Sequence, residues 1–301
     1  MSEVRKSRLI LVPCHSIWKE SYPKCQAANL GQLPEHWYLA PFQLEGNDHI
    51  AFIKHAVFGI RELVNDLVSG ILIFSGSQTK KEAGPISEAC SYYSMAQKLL
   101  TWIELGKTVP DQLKDDIEII PNCKAIINTL QDKYRITVAE LFEKHISTEV
   151  FALDSFDNLL YSIGRFHELT SYYPVGITIV GFGFKKERFL NYHAKAIDFP
   201  SERIKYISKE PIPDYSDPKA IEGYFTTLKE LEKKNALCLF ASDWYGTRDT
   251  LALKKNSRNP FKKNHRYSLP LHHLQNEDFK IIDDQQYYNQ FISGKMPWSV
   301  S

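Results

Sequence analysis

The sequence predicts one α/β domain, a mainly parallel sheet flanked by helices, followed by an irregular C-terminal extension. Three observations predict it. Short apolar runs recur along the chain, apolar residues between them return at three- and four-residue steps, and the two patterns alternate. Runs without polar alternation suit strands buried on both faces.

The first run, Arg8 to Pro13 (RLILVP), predicts a buried strand. Residues 14–46 read as an aromatic loop punctuated by Pro23, Pro34 and Pro41. Ile50, Ile53, Val57, Ile60, Val64 and Leu67 then mark an amphipathic helix capped by Asn47 or Asp48. Gly70 ends it, and Ile71 to Phe74 form a second strand running into Ser75-Gly76-Ser77. A helix opens near Ser87 and stops at Gly106. Segment 107–145 is charged, helical and interrupted at Pro121, which reads as an insertion. The alternation resumes with a strand Thr148 to Leu153, a helix Ser155 to Tyr172, a strand Gly176 to Phe182, a helix Lys186 to Asp198 and a strand Arg203 to Ile207. After Pro211-Ile212-Pro213 the pattern weakens. A helix near 217–234, a strand Leu237 to Phe240 and a tail packing back on the core are expected. Residues 1–301 thus form one domain, with a core at 8–207 and an extension at 208–301.

Composition excludes several function classes. Lys and Arg number 37 against 36 Asp and Glu, so no net field selects nucleic acid or a membrane surface. Five scattered cysteines, Cys14, Cys25, Cys90, Cys123 and Cys238, form neither a C-x-x-C pair nor an even set, which points to a reducing compartment. The apolar run near the N-terminus is too short for a signal peptide, and no run approaches a membrane span of roughly 20 residues. The cytoplasm is expected, with the nucleus open. No motif specifies a cofactor or an oligomeric state.

In open parallel sheets ligands bind outside the carboxyl ends of the strands, where helix N-termini offer unpaired N–H groups. The candidates follow from that rule. Cys14, His15 and Ser16 follow the first strand. Ser75, Gly76, Ser77, Gln78 and Thr79 follow the second, with Ser87 and Glu88 at the next helix start. Asp154, Ser155 and Asn158 follow the third, and Gly181, Gly183, Lys185 and Arg188 the fourth.

Each has a plainer explanation beside the functional one. Ser75-Gly76-Ser77 is either a ligand-binding turn or an ordinary strand-to-helix turn. It is not a P-loop, because Gly76 and Gly84 are eight apart with no following Lys-Ser or Lys-Thr. Asp154 or Ser155 caps a helix; Asn158, one turn further in, is not explained by capping. Glu149, in an apolar strand, is expected to face the site. Cys14 and His15 point to opposite faces and are not expected to act together. Lys185, Lys186 and Arg188 oppose the dipole of the helix they open, so an anion between them is one account and solvated side chains are the other.

Thr250 to Asn276 contains no acid but carries Lys254, Lys255, Arg258, Lys262, Lys263 and Arg266, with His265, His272 and His273. A solvated loop is the leading reading of this strip, with nucleic acid a minor one. The histidine spacing matches no metal motif, and no metal is expected.

Together these segments resemble the YdcF-like family of unknown function, which includes SanA and ElyC. The resemblance rests on Ile71-Leu72-Ile73-Phe74-Ser75-Gly76-Ser77, then Ser87-Glu88-Ala89, then Glu149 with Asp154-Ser155-Phe156-Asp157-Asn158, then Lys185-x-x-Arg188. It covers about residues 8 to 207 and is similar to the family's S-G-G, S-E-A, E…S-x-x-T-x-E-N and H-x-x-R pattern. The chain departs at Ser77, Asp157 and Lys185, and in the first strand, and looks like a eukaryotic, fungal-type cytosolic branch. The resemblance implies a Rossmann-like sheet and a polar site, but no reaction. The site expected from residues and resemblance together has Glu88, Glu149 and Ser155 as catalytic candidates. Ser75, Gly76, Ser77, Asp154, Asn158, Lys185 and Arg188 are its ligand-binding candidates. No histidine partner for Ser155 is visible. The leading expectation is an enzyme acting on a small anionic or nucleotide-like metabolite. The alternatives are a non-catalytic metabolite-binding protein, and a partner- or RNA-binding protein using the strip at 254–266.

Overall fold

Five parallel strands form the centre of the computed structural model, which describes residues 6–21, 28–271 and 280–299. They are β1 (Arg8–Pro13), β2 (Gly70–Ser75), β3 (Ile146–Glu149), β4 (Gly176–Gly181) and β5 (Ile204–Ser208), in the order β3-β2-β1-β4-β5. The chain is therefore a Rossmann-like α/β protein. Leu9 pairs with Ile71 on one side and Ile177 on the other, so β1 is the central strand.

Alternate residues of β1 serve different cores. Ile10 and Val12 pack on one face with α2 (Asp48–Asn65) and α3 (Glu88–Glu104). Leu9 and Leu11 pack on the other with α7 (Ser155–Thr170). On the first face α2 lies close to the sheet at Gly59, where a Cβ would come within 2.6 Å of Val12. Ahead of it, the loop carrying Trp18 and Trp37 and the short α1 (Pro41–Glu45) close the same face. Asn47 sits at the N-cap position of α2 but does not cap it; its amide donates to Ile212 O at 3.0 Å.

The crossover from α3 to β3 contains α4 (Asp111–Lys114), α5 (Ile119–Thr129) and α6 (Val138–His145). Pro121 lies in the first turn of α5, where its missing N–H interrupts nothing. These helices bury Leu113, Ile119, Ile126, Leu141 and Phe142 in the same core as α2.

Four elements differ from the sequence expectation. Pro41–Glu45, expected within an aromatic loop, form the short helix α1. The third strand ends at Glu149 instead of running to Leu153, because the Glu149 carboxylate accepts the N–H groups of Phe151 at 2.6 Å and Ala152 at 3.2 Å and turns the chain. Residues 237–240 are helical, not a strand. A wide turn at Lys233–Leu237 carries α9 (Pro218–Glu232) into α10 (Cys238–Ser242), and a short apolar run alone does not separate the two alternatives. The start of the basic strip is also helical, as part of α11 (Asp249–Ser257). The rest of the extension buries Tyr267, Leu269, Ile281, Ile292 and Trp298 on the α7 face, with α12 (Asp284–Tyr287) among them. Between β4 and β5 a helical segment, Arg188–His193, leads into α8 (Ala194–Ala196). No described helix is long and apolar enough to cross a membrane.

Candidate functional site

In the order β3-β2-β1-β4-β5 the direction of strand succession reverses between β1 and β4, and a crevice opens at their carboxyl ends. A cleft of about 530 Å³ lies there. Six of the ten expected site residues line it: Glu88, Asp154, Ser155, Asn158, Lys185 and Arg188. Ser75, Gly76, Ser77 and Glu149 do not.

Glu149 corrects the expectation that it faces the site. It is fully buried at the β2–β3 joint, where it accepts Ser75 Oγ–H at 2.6 Å and the two N–H groups that end β3. Asn158 Nδ2 completes this network by donating to Ser75 O at 3.1 Å and Ser75 Oγ at 2.9 Å. Burial raises the Glu149 pKa to about 7 despite these donors. Gly76 has a steric role: a Cβ there would lie 2.8 Å from Glu88 Oε2 and 3.2 Å from Cys14 Cβ. Ser77 is buried beside it, its N–H donating to Ala152 O.

The cleft side of the same strands is built differently. Ser87 caps α3 by accepting the Cys90 N–H, which places Glu88 in the first turn beneath the cleft. Thr79 Oγ1–H donates to Glu88 Oε1 at 2.5 Å, yet burial still raises the carboxyl above its ordinary value. Asp154 caps α7 through the Asp157 N–H at 2.9 Å, so Ser155 is free of that duty. Ser155 Oγ lies 2.8 Å from His193 Nε2 and accepts a hydrogen bond from Arg188 Nη1 at 3.1 Å. The hydroxyl proton is therefore directed to His193, whose burial, together with the Arg188 and Lys255 charges, holds it neutral. Arg188 is anchored by Glu232 at the end of α9, at 2.6 Å.

His193 and Glu232 were not foreseen as site residues. In a regular helix, residues five apart point about 140° away from each other. The wide i→i+5 turn at Arg188–His193 brings both side chains onto Ser155, and nothing in the sequence announces such a turn. Glu232 sits in the charged run LKELEKK, which reads as a solvated face. Lys255 and Arg258 were visible only as part of the basic strip. Lys255 Nζ is 2.7 Å from Asp157 and 3.4 Å from Asp154; burial opposes its charge, but the two carboxylates outweigh it and raise its pKa. Arg258 lines the cleft and donates to Leu153 O at 3.1 Å. The strip is thus partly consumed by the site, while Lys262 and Arg266 are exposed. His272 and His273 lie outside the described residues.

His15 and Lys185 meet in the cleft at 3.3 Å (Nδ1 to Nζ), with His15 stacked on Phe182 at 5.1 Å. Cys14 also lines the cleft but offers no reactive thiol. It is buried, its Sγ–H points to Val12 O, and burial raises the thiol well above its ordinary value. Asp48, in the first turn of α2, also lines the cleft, and burial lifts it to about 7. Lys186 is exposed and outside the cleft lining. Among the described residues no group of three His, Cys, Asp or Glu side chains is arranged to hold a metal ion.

The chain is 48% identical over 298 residues to the uncharacterized protein YOR238W of Saccharomyces cerevisiae (strain ATCC 204508 / S288c), a match covering 98% of each chain. It belongs to that protein's family. The shared length runs through the C-terminal extension, so α9 and α11, which supply Glu232 and Lys255, are part of what the family has in common in length. No family model matches the chain, and no solved structure does.

Proposed function

We propose that the cleft binds a small anionic or nucleotide-type metabolite and performs acid–base or hydrolytic chemistry on it. One observation carries this reading: Arg188, Arg258, Lys185 and the first turn of α7 border a single cleft around the Ser155 hydroxyl. Helix N–H groups and cations together are a common anion site. Two cleft carboxyls, Asp48 and Glu88, are pushed upward by burial, the direction that suits proton transfer near neutral pH. Ser155 serves better as a ligand-orienting hydroxyl than as a nucleophile. Its partner His193 is enclosed by the rings of Phe156, Phe189 and Phe240, with cations nearby that disfavour an imidazolium. The kinship with YdcF-like proteins and a cytoplasmic location belong to the same proposal.

The test is incubation of the purified protein with sugar phosphates, nucleotides and carboxylic acids, followed by mass spectrometry for conversion. Asp48→Asn and Glu88→Gln are expected to lower turnover by about 10²–10⁴-fold while ligand binding persists. Stabilisation by a ligand with no conversion points instead to a non-catalytic binding protein.

A further inference from the structure

We propose that Lys185 is a carbonyl-capturing amine, and that the anion held in this cleft is a small oxo acid or an aldehyde or ketone phosphate. This rests on the anion-site reading above and names its substrate class.

Lys185 leaves a tight turn, Gly183–Lys185, at the end of β4 and reaches into the cleft. Its Nζ lies over two flat aromatic faces, 5.3 Å from the Phe182 ring centre and 5.7 Å from that of Phe184. Its hydrogen-bond contact among the described residues is His15 Nδ1, an uncharged partner, and no carboxylate lies within ion-pair distance. The two cleft arginines are committed differently: Arg188 to Glu232, Arg258 to a backbone carbonyl. Lysines placed to hold an anion gain from staying charged, and a nearby carboxylate usually helps. Lys185 has the reverse environment. Burial, then the Arg188 charge, lower it to about 7, against the weaker pull of Glu232 and Asp48. At neutral pH it therefore carries on the order of a thousandfold more free amine than a solvated lysine.

The neighbours complete the chemistry. Asp48, Glu88, His15, Arg188 and Arg258 border the same cleft, and Lys185 is the charge that most lowers Asp48 against its burial. The neutral amine adds to the carbonyl carbon, forming the C–N bond, while the carbonyl oxygen takes a proton from the Asp48 carboxyl. Loss of that oxygen as water, with the amine's proton, leaves a protonated imine; overall one amine, one carbonyl and one proton give one iminium and one water. Arg188, Arg258 and the first turn of α7 hold the carboxylate or phosphate of the same molecule. His15, with Nε2 buried and without a partner among the described residues, is positioned beside the amine instead of competing for the anion.

The experiment uses the full chain with pyruvate, glyoxylate or glyceraldehyde 3-phosphate at pH 7, with and without cyanoborohydride. Thermal shift is read in parallel, and lactate serves as the carbonyl-free control. The expected result is one reduced adduct per chain mapped to Lys185, about a hundredfold faster than at any other lysine and absent in Lys185→Arg. Stabilisation by an oxo acid without an adduct at Lys185 overturns this inference and leaves the anion site standing. Adducts spread over surface lysines at equal rates also overturn it. Neither stabilisation nor adduct with any probe removes both readings.

Discussion

Two clusters of buried polar side chains sit side by side at the carboxyl edge of the sheet, and they are finished to different degrees. At the ends of β2 and β3, Glu149, Ser75 and Asn158 form a closed network in which the Glu149 carboxylate accepts the Ser75 and Tyr267 hydroxyls and two backbone N–H groups. Across the cleft at the end of β4, Arg188 Nε, Glu232 Oε1, His193 Nδ1 and His15 Nε2 are buried without a hydrogen-bond partner among the described residues. Buried polar atoms left unpaired cost stability, so a fold keeps them where something else is gained. The first cluster is scaffold; the second borders the cleft proposed to bind the anion.

That contrast orders the expected effects. The largest belongs to Lys255, the counter-ion of Asp154 and Asp157 at the start of α7. Lys255→Met leaves two buried carboxylates facing each other and is expected to cost about 3–5 kcal/mol in urea denaturation. A loss below about 1 kcal/mol contradicts the role given to this ion pair. Next comes Glu149→Ala, expected to cost about 2–4 kcal/mol by stranding the Ser75 hydroxyl and two N–H groups, with ligand stabilisation intact in whatever protein remains folded. A selective loss of ligand binding would move Glu149 back into the site.

The same residue gives a pH test. Its pKa in the folded chain is raised to about 7 from an ordinary 4.5, so the native state holds the proton more tightly than the unfolded chain. That contribution is fully present below about 4.5 and is lost as pH rises through about 7. Glu149→Gln lacks it, so the stability gap between wild type and Glu149→Gln is expected to shrink steadily from pH 5 to pH 8. A gap that widens with pH reverses the sign and the account of burial behind it.

Smaller stability effects are expected on the cleft side, with larger functional ones. Ser155→Ala should cost about 1–2 kcal/mol, because its hydroxyl bonds both His193 and Arg188, while weakening anion binding about tenfold in calorimetric titration. Arg258→Ala should stay within about 0.5 kcal/mol of wild type, because Arg258 is exposed, and still weaken anion binding. Equal binding by wild type and Arg258→Ala takes that cation out of the site.

The sheet was legible because β1, β2 and β4 are largely apolar on both faces and α2 and α3 keep a clean period. The placement of Glu88, Asp154, Ser155, Asn158, Lys185 and Arg188 at the cleft followed from strand ends alone. What was not legible lies in local turns and in contacts with distant chain segments. Glu149 was expected to face the site, but a carboxylate at a strand end can turn outward or inward, and only the N–H groups of Phe151 and Ala152 decide it. His193 reaches Ser155 through a wide helical turn, and Glu232, Lys255 and Arg258 arrive from the extension, where charged residues on exposed helices carry no local mark of their partners. The apolar run at 237–240 looked like a strand because four residues are too few to show a period.

The central claim is that the unfinished cluster at the end of β4 is an anion site, and thermal denaturation with a panel of anions tests it most directly. Inorganic phosphate, sugar phosphates, nucleotides and oxo acids would be compared on wild type and on the double variant Arg188→Ala/Glu232→Ala, which removes the cation without stranding its carboxylate. A ligand at about a hundred times its Kd adds roughly 2.7 kcal/mol of stability. The account predicts that at least one anion raises the midpoint of wild type and leaves the double variant unmoved. A panel that stabilises neither protein, or both equally, contradicts it.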